Sequence, residues 1–106
     1  MPYIINTITY PSHKQGEIVK KFLSLVKTVS QPEELFEQVA SPITMTNEGV
    51  KGTIIYLVKK GKLEETLEYL NGLYFNFTEI EGCEFSLEVC MTWQEALKTA
   101  KIEIPS

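Results

Sequence analysis

The sequence predicts an α+β domain in which two amphipathic helices cover one face of a four-stranded antiparallel sheet. Three observations predict it. Two runs carry apolar residues at three-to-four spacing, Ile18, Phe22, Leu25, Val26, Val29 and then Leu63, Leu67, Leu70, Tyr74, Phe77, and both read as helices. Runs rich in Ile, Thr, Tyr and Val, bounded by Pro or Gly, alternate with them and read as strands. The connection Asn47-Glu48-Gly49 joins two of these runs as a short hairpin, which makes that pair antiparallel.

Taken in order, Tyr3–Tyr10 is the first strand, stopped by Pro11, which has no N–H to give a ladder. Ser12 and Gln15 form an S-x-x-Q capping box, so a helix of about 16 residues follows. Ser30 and Glu33 repeat that pattern around Pro32, and Leu35, Phe36 and Val39 after them predict a short second helix. Ile43–Thr46 and Val50–Lys59 are the hairpin strands. Gly61 precedes the second long helix, and Gly82 separates it from the last strand, Cys83–Met91. Thr92 with Glu95 is a third capping box, opening a short helix through Ala100. The long elements therefore run β-α-β-β-α-β, the order of a ferredoxin-like sandwich.

The 106 residues form a single domain, 1–106, with no internal linker or low-complexity tract. With 43% hydrophobic and 23% charged residues the composition is that of a globular protein. MPYIINTITY lacks a basic flank and a continuous apolar run, so neither a signal peptide nor a membrane span is expected, and the cytoplasm is the expected compartment. The formal charge is −4, and Lys14, Lys20, Lys21 and Lys27 are scattered and balanced by glutamates. Such a field does not hold a phosphate backbone, and nucleic acid is not an expected partner. Cys83 and Cys90 fit no metal or redox spacing. On one extended strand they stand about 23 Å apart, beyond disulfide reach, so both are expected as free thiols and no metal site is expected.

In the last strand Phe85, Leu87, Val89 and Met91 point one way and Glu84, Ser86, Glu88 and Cys90 the other. The first strand and the strand Val50–Lys59 are apolar on both faces: Ile4 and Ile8 oppose Tyr3 and Ile5, while Ile54, Tyr56 and Val58 oppose Ile55 and Leu57. Helices bury only one of these faces. A second sheet on the other, in a two-fold homodimer, is the simplest closure.

This order and these two apolar faces resemble the dimeric α/β-barrel superfamily, ferredoxin-like proteins whose sheets face each other across a dimer. It includes cofactor-independent antibiotic-biosynthesis monooxygenases, muconolactone isomerases and haem-degrading monooxygenases. The resemblance covers nearly the whole chain and rests on element order and patterning. The chain is also similar to uncharacterised small prokaryotic members with a TYPSHK-like strand end, a KGKLEETL-like helix start and an EVCMTWQEALK-like tail. It implies a homodimer that binds a small, largely apolar molecule between sheet and helices. An enzyme of this group, a cofactor-independent monooxygenase or isomerase, would desolvate an acidic C–H substrate, with His13 or Tyr10 handling the proton. Haem-degrading members use a helix histidine and an Asn-Trp pair. Here His13 stands at a helix start and Trp93 opens the last helix, so neither haem nor another cofactor is expected. A second, local resemblance is to the N-terminal-proline tautomerases, which begin like MPYIINTITY. It implies Pro2 as general base once Met1 is removed, although the chain repeats no β-α-β unit and contains no arginine. A purely structural dimer is the remaining reading.

Each candidate residue also has a plain reading. His13, the only histidine, is an exposed first-turn residue or a proton carrier beside Tyr10. Glu84 and Glu88 are solvated edge charges, or, with Ser86 and Cys90 and extended by Thr44 and Thr46, the polar lining of a dimer cavity. Tyr10, Tyr56 and Tyr74 are core aromatics or the walls of a ligand pocket.

Overall fold

The computed structural model describes residues 2–28 and 32–99. Its elements are β1 (Tyr3–Tyr10), a 3-10 turn Ser12–Lys14, α1 (Gln15–Thr28), β2 (Phe36–Ala40), β3 (Ile43–Thr46), β4 (Gly49–Val58), α2 (Leu63–Phe75), a second 3-10 turn Asn76–Glu79, β5 (Glu84–Cys90) and α3 (Trp93–Thr99). Every strand pairing is antiparallel, in the order β2-β4-β1-β5, and β3 pairs with β4 beside β2. The result is a mixed α+β fold with a five-stranded sheet and three helices.

The fifth strand is a correction. Leu35, Phe36 and Val39 have helical spacing, yet Phe36–Ala40 is extended, and Ser30, the expected cap, lies outside the described residues. The reason is tertiary. β4 is ten residues long, and β3 covers its edge only from Gly49 to Gly52. The backbone groups beyond need partners. Pro42 receives the Thr53 N–H at 2.9 Å, and β2 pairs along Ile55–Val58, with a register shift between Gln38 and Ala40.

Register fixes the faces. Ile4, Asn6, Ile8 and Tyr10 of β1 stand opposite Tyr56, Ile54, Gly52 and Val50 of β4, and this face carries the helices. Leu70 and Tyr74 of α2 and Ile18 of α1 join Phe36, Tyr56 and Val58 in one buried core. Phe36 meets Tyr56 edge to face with ring centroids 4.9 Å apart. The other face presents Tyr3, Ile5, Thr7 and Thr9 beside Leu57, Ile55, Thr53 and Lys51, flanked by Cys90, Glu88, Ser86 and Glu84. No described helix residue belongs to a core on that side.

Caps divide along similar lines. Thr92 and Glu95 close the predicted box, each backbone N–H donating to the other's side chain at 3.0 and 3.1 Å. The box at Ser12 does not form. Pro11 occupies the cap position of the 3-10 turn without a side-chain bond, and the Gln15 amide oxygen instead accepts the Tyr10 hydroxyl. In the hairpin, Gly49 has φ +133°, and a Cβ there would lie 2.8 Å from the Tyr10 carbonyl oxygen. Only glycine fits that close approach.

Candidate functional site

Helix α1 does not close down over the strand it faces. Ile18 is buried, but Val19 and Phe22 remain about half exposed at 43% and 48%, as does Ile43 at 55% on the neighbouring strand. Between them runs an open apolar groove of about 350 Å³, walled by α1 (Ile18, Val19, Phe22) and the sheet (Ile8, Gly52, Ile54), with Tyr74 and Phe77 at its back. Ser41, Phe22, Ile54 and Tyr74 also line a smaller chamber of about 160 Å³, which continues towards α2 and adds Tyr56, Tyr69 and Gln38. Gly52 matters here, because its missing side chain lets the sheet floor approach Ile8, whose methyl would sit 3.2 Å from a Cβ.

Among the described residues none lining the two chambers bears a carboxylate, ammonium or imidazole. Their polar groups are Gln15, Gln38, Ser41 and the tyrosines. The Tyr56 and Tyr74 hydroxyls meet in the core at 2.5 Å. Burial pushes both phenols well above their usual range; for Tyr56 the Tyr74 hydroxyl adds to the rise, whereas for Tyr74 the hydrogen bond with Tyr56 and the nearby Asn6 amide partly offset it. Both are neutral groups that give and take hydrogen bonds. Asn6 is fully buried beside the Tyr74 hydroxyl, but neither its amide oxygen nor its nitrogen has a partner in hydrogen-bond geometry.

The structure separates the sequence candidates. Tyr56 and Tyr74 lie together in the groove wall, and Tyr10 contributes to it from the end of β1. Ser86, Glu88 and Cys90 are on the opposite face, in register with Thr7, Ile5 and Tyr3. They cannot line the same cavity as the tyrosine pair. Glu84, Thr44 and Thr46 border a polar basin of about 520 Å³ on that open side, with Thr9, Glu48 and Lys51. His13 is exposed on the 3-10 turn and lines none of these hollows, and the Tyr10 hydroxyl is directed to Gln15 rather than to it. Burial, followed by the charge of Cys83, raises the Tyr10 phenol, so it stays protonated near neutral pH. Pro2 sits at the other end of β1, where its carbonyl accepts the Val58 N–H at 3.0 Å. Cys83 and Cys90 are both free thiols, the first buried and raised by that burial and by Glu84.

Asn6, Gln38 and Ser41 were not singled out by sequence reasoning. One signal was present for Asn6: in YIINTITY it shares the parity of Ile4 and Ile8, which places an amide on the apolar face. Nothing in the sequence points to Ser41, whose position depends on the break between β2 and β3.

Fold and site define a class only: an antiparallel α+β domain with an apolar, uncharged groove on its helical side. Comparison with protein-family models, with curated proteins and with solved structures gives no match. Among the described residues no helix is long and apolar enough to cross a membrane, and no three His, Cys, Asp or Glu are grouped to hold a metal ion.

Proposed function

We propose that this protein is a ferredoxin-like domain of the dimeric α/β-barrel type that binds a small, largely apolar molecule between its sheet and helices. The groove beneath α1 carries the binding part of the proposal. Half-exposed Val19, Phe22 and Ile43 line a hollow of about 350 Å³, within the range of small-molecule sites. Leaving such surface wet forfeits roughly 25 cal/mol per Å², which an apolar ligand recovers. The ferredoxin-like part is supported by reading β2 and β3 as one strand broken at Ser41–Pro42, which turns β2-β4-β1-β5 into a four-position sheet with two crossing helices. The dimer is supported by Tyr3, Ile5, Ile55 and Leu57, an apolar centre on the uncovered face ringed by Glu84, Glu88 and Lys51.

Toluene, small enough for either chamber, tests the binding reading by titration into ¹⁵N-labelled protein. Shifts are expected to cluster at the amides of Ile18, Phe22, Ile54 and Tyr74. They are expected to disappear in Ser41→Trp, which fills the shared mouth from an exposed loop position. Shifts scattered over the surface, or unchanged in Ser41→Trp, overturn it.

A further inference from the structure

The tyrosine pair has more hydrogen-bonding capacity than the protein uses. Two phenols hold two protons, and their mutual bond consumes one. Either hydroxyl can donate in that bond, so one phenol proton is left with no further partner among the described residues. Both tyrosines line the smaller chamber. Behind it, Asn6 adds two N–H groups and a carbonyl that meet nothing in bonding geometry at a fully buried position. Orphaned buried groups cost about 1–3 kcal/mol each, so a core that keeps them calls for an explanation. An arriving oxygen supplies one for the phenol: it accepts the uncommitted proton, and the bond between the two hydroxyls strengthens with it.

The surroundings limit that oxygen to an uncharged group. Among the described residues an anion entering either chamber meets no cation, because Gln15, Gln38 and Ser41 are the only polar ones lining it besides the tyrosines. Shedding its water without a partner costs several kcal/mol. Apolar wall surrounds the rest of the molecule.

We propose that the ligand of this groove is an uncharged, apolar molecule bearing a hydrogen-bond-accepting oxygen, such as a ketone, ester or alcohol, and that the Tyr56–Tyr74 hydroxyl pair, backed by Asn6, receives that oxygen. This rests on the groove being the binding site.

Ethylbenzene, acetophenone and benzoate have nearly the same shape and differ in having no oxygen acceptor, a neutral one or a charged one. Titrations of each are read at the groove amides. Acetophenone is expected to bind roughly three- to tenfold more tightly than ethylbenzene, the net value of one hydrogen bond, and benzoate at least tenfold more weakly than acetophenone. In Tyr56→Phe/Tyr74→Phe, which conserves the ring volume and whose fold is checked by its amide spectrum, the preference for acetophenone is expected to vanish while ethylbenzene still binds. Equal binding of all three, or a preference that survives in the double variant, overturns this assignment and leaves the groove as an apolar site. Failure of all three to shift the groove amides overturns the groove reading with it.

Discussion

Ile4 and Ile5 are adjacent in the chain and point to opposite faces of one sheet, in very different surroundings. Ile4 is completely buried beneath the helices, whereas Ile5 is only partly buried beside Ile55, with Glu88 across from it. The helical face is a filled core interrupted by one groove. The opposite face has equally apolar residues at its centre and no layer over them. Burial in this protein is therefore set by which layer arrives, not by how apolar the strand is.

The widest separation between the faces is expected in truncations. Leu70, fully buried, contacts the core from α2. Leu70→Ala should cost about 3 kcal/mol in chemical denaturation, the lost transfer energy plus a cavity. Ile55→Ala removes a partly buried side chain, and within a subunit it should cost about 1 kcal/mol. The proposed dimer sharpens the contrast. Ile55→Lys should leave the fold intact and shift sedimentation from dimer to monomer; a wild-type chain that sediments as a monomer at micromolar concentration ends the dimer proposal.

The next effect distinguishes the groove from the rest of the core. Tyr74→Phe leaves the Tyr56 hydroxyl without its partner and should cost about 1–2 kcal/mol. The same pair makes stability depend on alkaline pH. An unfolded phenol ionises near 10, and the folded values of Tyr56 and Tyr74 are raised by burial, so the folded state holds its protons longer. Stability from this source is complete below pH 10 and falls as pH rises above it, by up to about 1.4 kcal/mol per pH unit for each phenol. Phenolate absorbance from the pair should appear only together with unfolding, and Tyr74→Phe should reduce the slope. Ionisation of both residues in the folded protein would contradict the burial that defines this wall.

Much of this geometry was legible in the sequence. β1, β4, β5, both long helices and their facing residues follow from periodicity, because burial on one face imposes period two on a strand and about 3.6 on a helix. The Thr92–Glu95 box was readable because both partners lie within one turn. Phe36–Ala40 was not, since its strand state comes from the vacant edge of β4, a partner some twenty residues away that local spacing does not record. The groove was foreseen only as aromatics worth inspecting. Tyr56 and Tyr74 were named from residue type, but their pairing across β4 and α2 is a product of packing. Strand parity alone puts Ser86, Glu88 and Cys90 on the other face once β1 fixes the register.

A smaller effect of opposite sign follows from Asn6. Its amide is buried without geometric partners, so an apolar side chain of similar size removes an unsatisfied group rather than a bond. Asn6→Leu should raise stability by about 1 kcal/mol, whereas a core polar group doing structural work would show a loss. Thermal or denaturant midpoints decide the sign. A gain marks the helical face as having kept this amide at a cost to stability, as a site does and a passive core does not.

The smallest expected effect is confined to α3, which carries the fully formed cap but little of either face. The backbone N–H of Thr92, followed by its hydroxyl, holds the Glu95 carboxyl below its ordinary value of 4.5, against a smaller opposing effect of burial. Because the folded value is the lower one, the cap contributes fully above about pH 4.5 and is lost as pH falls through the folded value. The Ala96 amide, bonded to the Thr92 carbonyl at 2.9 Å, reports the first turn. Its hydrogen-exchange protection should decline between about pH 4.5 and 3 while that of Leu70 in α2 stays level. Glu95→Gln, which keeps the acceptor oxygen without the titration, should flatten the Ala96 profile. A parallel decline at Leu70 would mean that the helical layer and α3 open as one unit, and the core would then end beyond the groove rather than at it.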